Sequence, residues 1–118
     1  MPFMRIEFSE NLPEKRELKS FASELHKHVA QMIDTKIENF KTTFYPIPYA
    51  VHGLDQEGQG EALLFISIRL KARPEALKQQ VADYIYQQAG KIFQSELVKT
   101  YIAVEILDLV THTIGYSE

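Results

Sequence analysis

The chain begins Met1-Pro2-Phe3-Met4-Arg5-Ile6-Glu7-Phe8. The apolar and β-favouring side chains after the proline predict a strand that starts at the chain terminus. If Met1 is removed, Pro2 becomes the amino terminus, and such a strand would hold its secondary amine in a fixed place. An amine held in this way can act as a base. The alternative is purely structural, because proline is tolerated at the first residue of a strand.

The plan of the first half of the chain recurs in the second half. Asn11 is a suitable N-cap, and Pro13-Glu14 suits the first turn of a helix. Apolar residues then recur at spacings of three and four, which predicts an amphipathic helix of about twenty residues. A second pair, Pro74-Glu75, opens a similar pattern 61 positions later (74 minus 13).

Three further segments predict strands. Ile37–Tyr49 is extended in character, and its prolines at positions 46 and 48 predict a strand that ends there or runs along a sheet edge. The nearly continuous apolar run Ala62–Leu70 predicts a central strand that is buried on most of both faces. Tyr101–Leu109 predicts the last strand, followed by a short tail. The glycine-rich segment 53–60 predicts an exposed loop, the tip of a hairpin.

Together these elements predict one α+β domain, 1–118, with pseudo-repeats at about 1–58 and 59–118. A helix-length linker between two strands implies a βαβ crossover, and two crossovers give a four-stranded mixed sheet with both helices on one face. The other face of the sheet would be uncovered. Its apolar side chains predict a homo-oligomer that covers them.

The composition argues against several classes of function. The formal net charge is -3, and no basic run is present, so the sequence predicts no nucleic-acid binding. No apolar stretch is long enough to span a membrane, and the first residues do not resemble a signal peptide. The chain has no cysteine, which excludes disulfides and thiolate chemistry and fits a cytoplasmic protein.

The four histidines do not predict a metal site or a cofactor. His26 and His28 are two positions apart on a predicted helix, so they point in different directions. His52 and His112 lie on other segments, without a carboxylate at ligand spacing.

Arg73 is an unfavourable residue for its predicted place, at the start of the second helix. It offers no acceptor to the free backbone N–H groups, and its charge opposes the helix dipole. A bound anion that meets both the side chain and the helix end would explain it, and a planar guanidinium suits a carboxylate. The alternative is a solvent-facing arginine paired with a neighbouring acid. Lys36, after the first helix, is a second candidate cation, with a solvated lysine as the alternative.

These features resemble the tautomerase superfamily, and within it the 5-carboxymethyl-2-hydroxymuconate isomerases. The segment Ile6–Leu12 is similar to that family's first strand and turn, at the same distance from the terminal proline. Val51-His52, the glycine-bearing loop, Phe65–Lys71 and then Arg73 before a helix follow in the same order and spacing. The similarity covers most of residues 1–110.

The resemblance implies a cofactor-independent isomerase of the macrophage migration inhibitory factor-like fold, assembled as a homotrimer with sites between subunits. Pro2 would be the general base that moves a proton on a small 2-hydroxy or 2-oxo acid. Arg73 would hold the substrate carboxylate, and Lys36 falls where the inhibitory-factor branch places a pocket lysine.

One departure from the family pattern is clear. The muconate isomerases carry an arginine in the second strand, but residues 47–50 read Ile-Pro-Tyr-Ala. The family's second electrophilic contact is therefore missing or comes from elsewhere, and the family's substrate cannot be assumed. Two alternatives to an isomerase stay open: a non-catalytic member of the fold that binds a ligand or a partner, and an unrelated ferredoxin-like interaction module.

Overall fold

A four-stranded mixed sheet carries two helices on one of its faces. The computed structural model describes residues 1–54 and 60–117. The elements are β1 (Phe3–Ser9), α1 (Leu18–Met32), β2 (Lys41–Ile47), β3 (Ala62–Lys71), α2 (Glu75–Ile92) and β4 (Thr100–Leu109). The strand order is β2-β1-β3-β4. The pairs β1–β2 and β3–β4 are parallel, and β1 and β3 are antiparallel, so two strand-helix-strand units meet at the centre. The predicted fold class is confirmed.

The core lies between the sheet and the helices. Met4 and Ile6 of β1 and Ile66 and Ile68 of β3 are buried there at no more than 1% exposure. Fully burying side chains of this size contributes roughly 1.5–3 kcal/mol each. The rings of Phe21 and Phe93 meet edge-on with their centroids 5.0 Å apart, which links α1 to the end of α2.

The prediction that β3 is buried on most of both faces does not hold within one subunit. Alternate residues of the strand are buried against the helices, but Phe65 and Ser67 are only half-buried and Arg69 is exposed. No helix covers that face of the sheet in the part of the chain that the structure describes. Charged residues such as Arg5 and Glu7 share this open face with the aromatic side chains.

The first helix begins later than predicted. Asn11 does not cap it, because its side chain accepts a hydrogen bond from Ser9 Oγ at 2.6 Å and donates one to the carbonyl oxygen of Glu61 at 3.2 Å. Glu14 then adopts a left-handed conformation with φ of 56°, which interrupts any helix that starts at Pro13. A 3-10 turn over Lys15–Glu17 leads into α1.

The other boundaries agree more closely with the sequence. α2 begins at Glu75 with Pro74 as its N-cap, one residue later than predicted, so Arg73 lies directly before the N-cap. The segment that starts at Ile37 opens with a 3-10 turn, Ile37–Asn39, before β2. β2 is an edge strand, which explains how it accommodates Pro46. The predicted hairpin tip falls mainly on residues 55–59, which lie outside the described residues. Residues 110–117 form neither helix nor strand. Neither described helix is long and apolar enough to cross a membrane.

Candidate active site

The amino terminus is built into the sheet at the start of a central strand. The terminal amine of Met1 donates a hydrogen bond to the carbonyl oxygen of Asn39 at 2.8 Å. The backbone N–H of Lys41 donates to the carbonyl oxygen of Pro2 at 3.2 Å. Pro2 itself is almost completely buried. The first two residues therefore have a fixed position, as the sequence predicted for a strand that starts at the terminus.

A pocket of about 250 Å³ brings Pro2 and Arg73 together. The residues that line it are Met1, Pro2, Ile33, Asp34, Thr35, Asn39, Leu70, Lys71 and Arg73. Lys36 is exposed and is not among them. Of the three residues singled out in the sequence, this subunit thus places two in one cavity.

Lys71 is a cation of the pocket that the sequence reasoning missed. It is the last residue of β3. Phe3 pairs with Arg69 in the antiparallel register, so continuation of that pairing places residue 71 opposite residue 1. The signal in the sequence was a lysine two positions before Arg73 at the end of a strand. Reading it required the register of two central strands, which local patterns do not give.

Arg73 is held by backbone carbonyl groups. Its Nε and Nη2 atoms donate to the carbonyl oxygen of Ile33 at 3.4 and 3.1 Å, and its Nη1 atom donates to those of Lys71 and Ala72 at 3.1 and 3.2 Å. Ile33 is the residue directly after α1, so the guanidinium lies at the carboxyl end of that helix. A positive charge is favourable there, because the helix dipole is negative at this end. The charge of Arg73 is therefore unfavourable at the start of α2 but favourable at the end of α1.

The electrostatic environment favours a neutral amine at the terminus. Burial lowers the pKa of the terminal amine of Met1, and the positive charges of Lys41 and Lys71 lower it further. Both effects disfavour the protonated form. A larger fraction of an amine in this place is therefore neutral near neutral pH than at an ordinary chain terminus, and only the neutral form can accept a proton.

A second, larger cavity adjoins the first. It measures about 620 Å³ and shares Met1 and Asn39 with the smaller pocket. The tail contributes part of its wall through residues 113–116, and the ring of Tyr116 lies 5.9 Å from Nζ of Lys41. Met1 and Asn39 thus line both cavities.

The segment in which the family has a second arginine lies far from this pocket within one subunit. Ile47 pairs with Ser9, at the opposite end of β1 from Pro2. A residue of this segment can therefore approach a Pro2 site only from another subunit, or after a large rearrangement.

The described residues contain no group of three histidine, cysteine or acidic side chains that could hold a metal ion. His52 Nδ1 lies 3.8 Å from Glu61 Oε1. His26 Nε2 lies 2.6 Å from Thr42 Oγ1, and its ring stacks on Phe40 with centroids 4.8 Å apart. These contacts account for two of the histidines without a ligand.

No family model matches the sequence, and no curated protein matches it either. Solved structures do. A 5-carboxymethyl-2-hydroxymuconate isomerase from Deinococcus radiodurans R1 matches with a TM-score of 0.82 and 17% identity, covering 98% of this chain and 90% of that one. Pt0534, solved after inactivation by 2-oxo-3-pentynoate, matches with a TM-score of 0.74 and 14% identity, covering 98% of this chain and 91% of that one. A macrophage migration inhibitory factor-like protein from Entamoeba histolytica matches with a TM-score of 0.66 and 15% identity, covering 98% of this chain and 95% of that one. These similarities confirm the fold that the resemblance implied.

Proposed function

We propose that this protein is a cofactor-independent tautomerase that moves a proton on a small unsaturated 2-hydroxy or 2-oxo acid. Pro2 would be the general base once Met1 has been removed. The observation that carries the proposal is that Pro2 and Arg73 line one pocket at the buried terminus of a central strand. The isomerase fold supports the class of reaction, and the cysteine-free composition supports a cytoplasmic location.

The state of Met1 decides whether Pro2 can act. With Met1 in place, the nitrogen of Pro2 is an amide and has no basic lone pair. After removal of Met1 it becomes a secondary amine near the two lysines that lower the pKa of the present terminus. An α-amino group has an ordinary pKa of about 8, so burial and nearby cations bring such a base toward neutral pH.

The proton transfer needs no other reactant. The proline nitrogen takes the proton of the enol hydroxyl group, and the C–O bond becomes a carbonyl. The electrons of the C2–C3 double bond then take up the proton at C3 from the protonated proline. One proton leaves oxygen and one arrives at carbon, so the product is the 2-oxo isomer of the substrate.

The cationic side of the pocket would bind the carboxylate of the substrate and stabilise negative charge that develops on its oxygen. Arg73 is part of this side, although most of its N–H groups already bind backbone oxygens. Lys36 stays a prediction. It precedes the turn that carries Asn39, a lining residue, but lies outside the pocket of its own subunit.

The test is ketonisation of phenylenolpyruvate by protein whose mass shows that Met1 is absent. We expect turnover that falls about 100-fold or more in Pro2→Ala, as expected for loss of a positioned base. Pro13→Ala is the matched control, since Pro13 lies after β1, away from the pocket. A processed protein that converts none of several 2-oxo and 2-hydroxy acids would instead favour a non-catalytic binding protein of this fold.

A further inference from the structure

Arg73 has little hydrogen-bonding capacity left for a substrate. A guanidinium has five N–H groups. Four of them donate to backbone carbonyl oxygens: Nε and one on Nη2 to Ile33, and both on Nη1 to Lys71 and Ala72. One N–H on Nη2 remains. A bidentate grip on a carboxylate needs two parallel N–H groups, so Arg73 would have to release a carbonyl oxygen to form it.

Breaking those bonds would be unfavourable. The Ile33 oxygen lies at the carboxyl end of α1, where the last carbonyl groups have no partner within the helix. Release of Arg73 would leave this oxygen without its donor and would remove a cation from the negative end of the helix dipole. Arg73 is therefore better suited to hold the backbone at this corner than to follow a substrate.

Lys71 has the free donors that Arg73 lacks. It lines the same pocket as Pro2, and its ammonium carries three N–H groups. Within residues 1–54 and 60–117 its side chain makes neither a hydrogen bond nor an ion pair, even though Asp34 lines the same pocket. Its backbone is fixed on both sides, by the pairing of β3 with β4 and by the hydrogen bond from Arg73 to its carbonyl oxygen.

We infer that Lys71 is the main contact for the substrate carboxylate, and that Arg73 is a positioning residue that fixes the Lys71 backbone and adds one N–H group. The inference rests on the proposed function for the identity of the ligand. It also gives this chain a second cation at the site although residues 47–50 contain no arginine.

The test is direct binding of 3-phenylpropionate, a carboxylate that cannot react, to processed protein by calorimetry. Its methyl ester has the same apolar body without the charge. We expect Lys71→Met to weaken binding of the acid about tenfold, as for loss of one charged hydrogen bond, and to leave ester binding unchanged. Lys71→Arg should restore most of the affinity for the acid.

Lys99→Met is the matched control. It removes the same charge from an exposed lysine directly before β4, at the opposite end of the β3–β4 pair. Equal affinity of Lys71→Met and Lys99→Met for the acid would overturn the inference, and so would equal losses for acid and ester or failure of the wild-type protein to bind the acid. Protein that binds the acid through Lys71 but converts no substrate would refute the proposed reaction and leave the contact standing.

Discussion

The guanidinium of Arg73 donates two hydrogen bonds to the carbonyl oxygen of Ile33, at 3.4 and 3.1 Å. This contact joins the start of α2 to the end of α1 across the pocket that contains Pro2. The same side chain thus stabilises the fold and shapes the candidate site. Its two roles can be separated by measuring stability and ligand binding in the same variants.

We expect Arg73→Ala to lower the free energy of unfolding by about 1–2 kcal/mol, because several charge-assisted hydrogen bonds are lost and a helix end is left uncapped. Arg73→Lys should recover part of this loss, since an ammonium keeps the charge but not the planar set of donors. Urea unfolding measures both. Arg16→Ala is the control: Arg16 is exposed and paired with Glu14 at 2.9 Å, so its loss should change stability by no more than about 0.5 kcal/mol. An Arg73→Ala protein as stable as Arg16→Ala would contradict the capping role.

The sequence predicted the architecture well because the signals for it are local and repeated. The β-favouring residues of β1, the helical spacing after Pro13 and after Pro74, and the two strand-helix-strand units all appear in the structure. The start of α1 was misplaced because an interaction distant in sequence decided it: Asn11 binds the Glu61 carbonyl oxygen and not the helix end. The burial of β3 was misjudged because an apolar run does not reveal how many faces of its sheet are covered.

The candidate site was only partly predictable for the same reason. Arg73 stands out because it does not suit the start of a helix, and Pro2 stands out because it becomes the amino terminus if Met1 is removed. Lys71 is unremarkable in the sequence, and only the register of β3 against β1 places it beside the terminus. One carbonyl partner of Arg73 is Ile33, at the end of α1 and forty residues away in the chain, so local patterns do not reveal that contact.

His26 should make the folded protein less stable in mild acid. Burial, and to a lesser extent the charge of Lys41, lower the pKa of His26 in the folded state below its ordinary value near 6.5. As pH falls through that value, the unfolded chain binds a proton at this position before the folded chain does, so stability is lost. Above it both states are neutral and the effect vanishes.

We therefore expect the urea concentration at the unfolding midpoint to decrease as the pH is lowered from 7.5 to 5. The decrease should be smaller in His26→Gln. His112→Gln is the control, because His112 is exposed in the tail. If His26→Gln and His112→Gln lose stability in parallel with the wild type, the ring of His26 is not responsible.

The open face of the sheet should be the surface through which subunits assemble. Phe65 and Tyr101 meet there edge-on with centroids 6.3 Å apart, and Phe65 also borders a groove of about 370 Å³ with Glu7 and Glu105. Exposed aromatic side chains grouped on one face are typical of a surface that binds a partner. We propose a homotrimer and expect a native mass of three chains.

Phe65→Arg should shift the protein to smaller species in sedimentation velocity, because it places a charge in the centre of that face. Tyr86→Arg introduces the same residue at an exposed aromatic position of α2, and we expect it to leave the assembly unchanged. A wild-type monomer at micromolar concentration would rule out the trimer, and dissociation by both variants would place the interface elsewhere.

The pH dependence of the reaction should depend on the positive charges of the lysines around the terminus. A base works in its neutral form, and burial together with Lys41 and Lys71 lowers the pKa of an amine at this place. The acid limb of kcat/KM for processed protein should therefore lie below the ordinary α-amino range of about 7.7–8.0. Lys41→Met removes one positive charge and should move that limb to higher pH, whereas Lys91→Met, at the exposed end of α2, should not. Protein that retains Met1 should show no such limb, since its Pro2 nitrogen is an amide. If the retained form is as active as the processed form, Pro2 is not the base, whatever the pH profile shows.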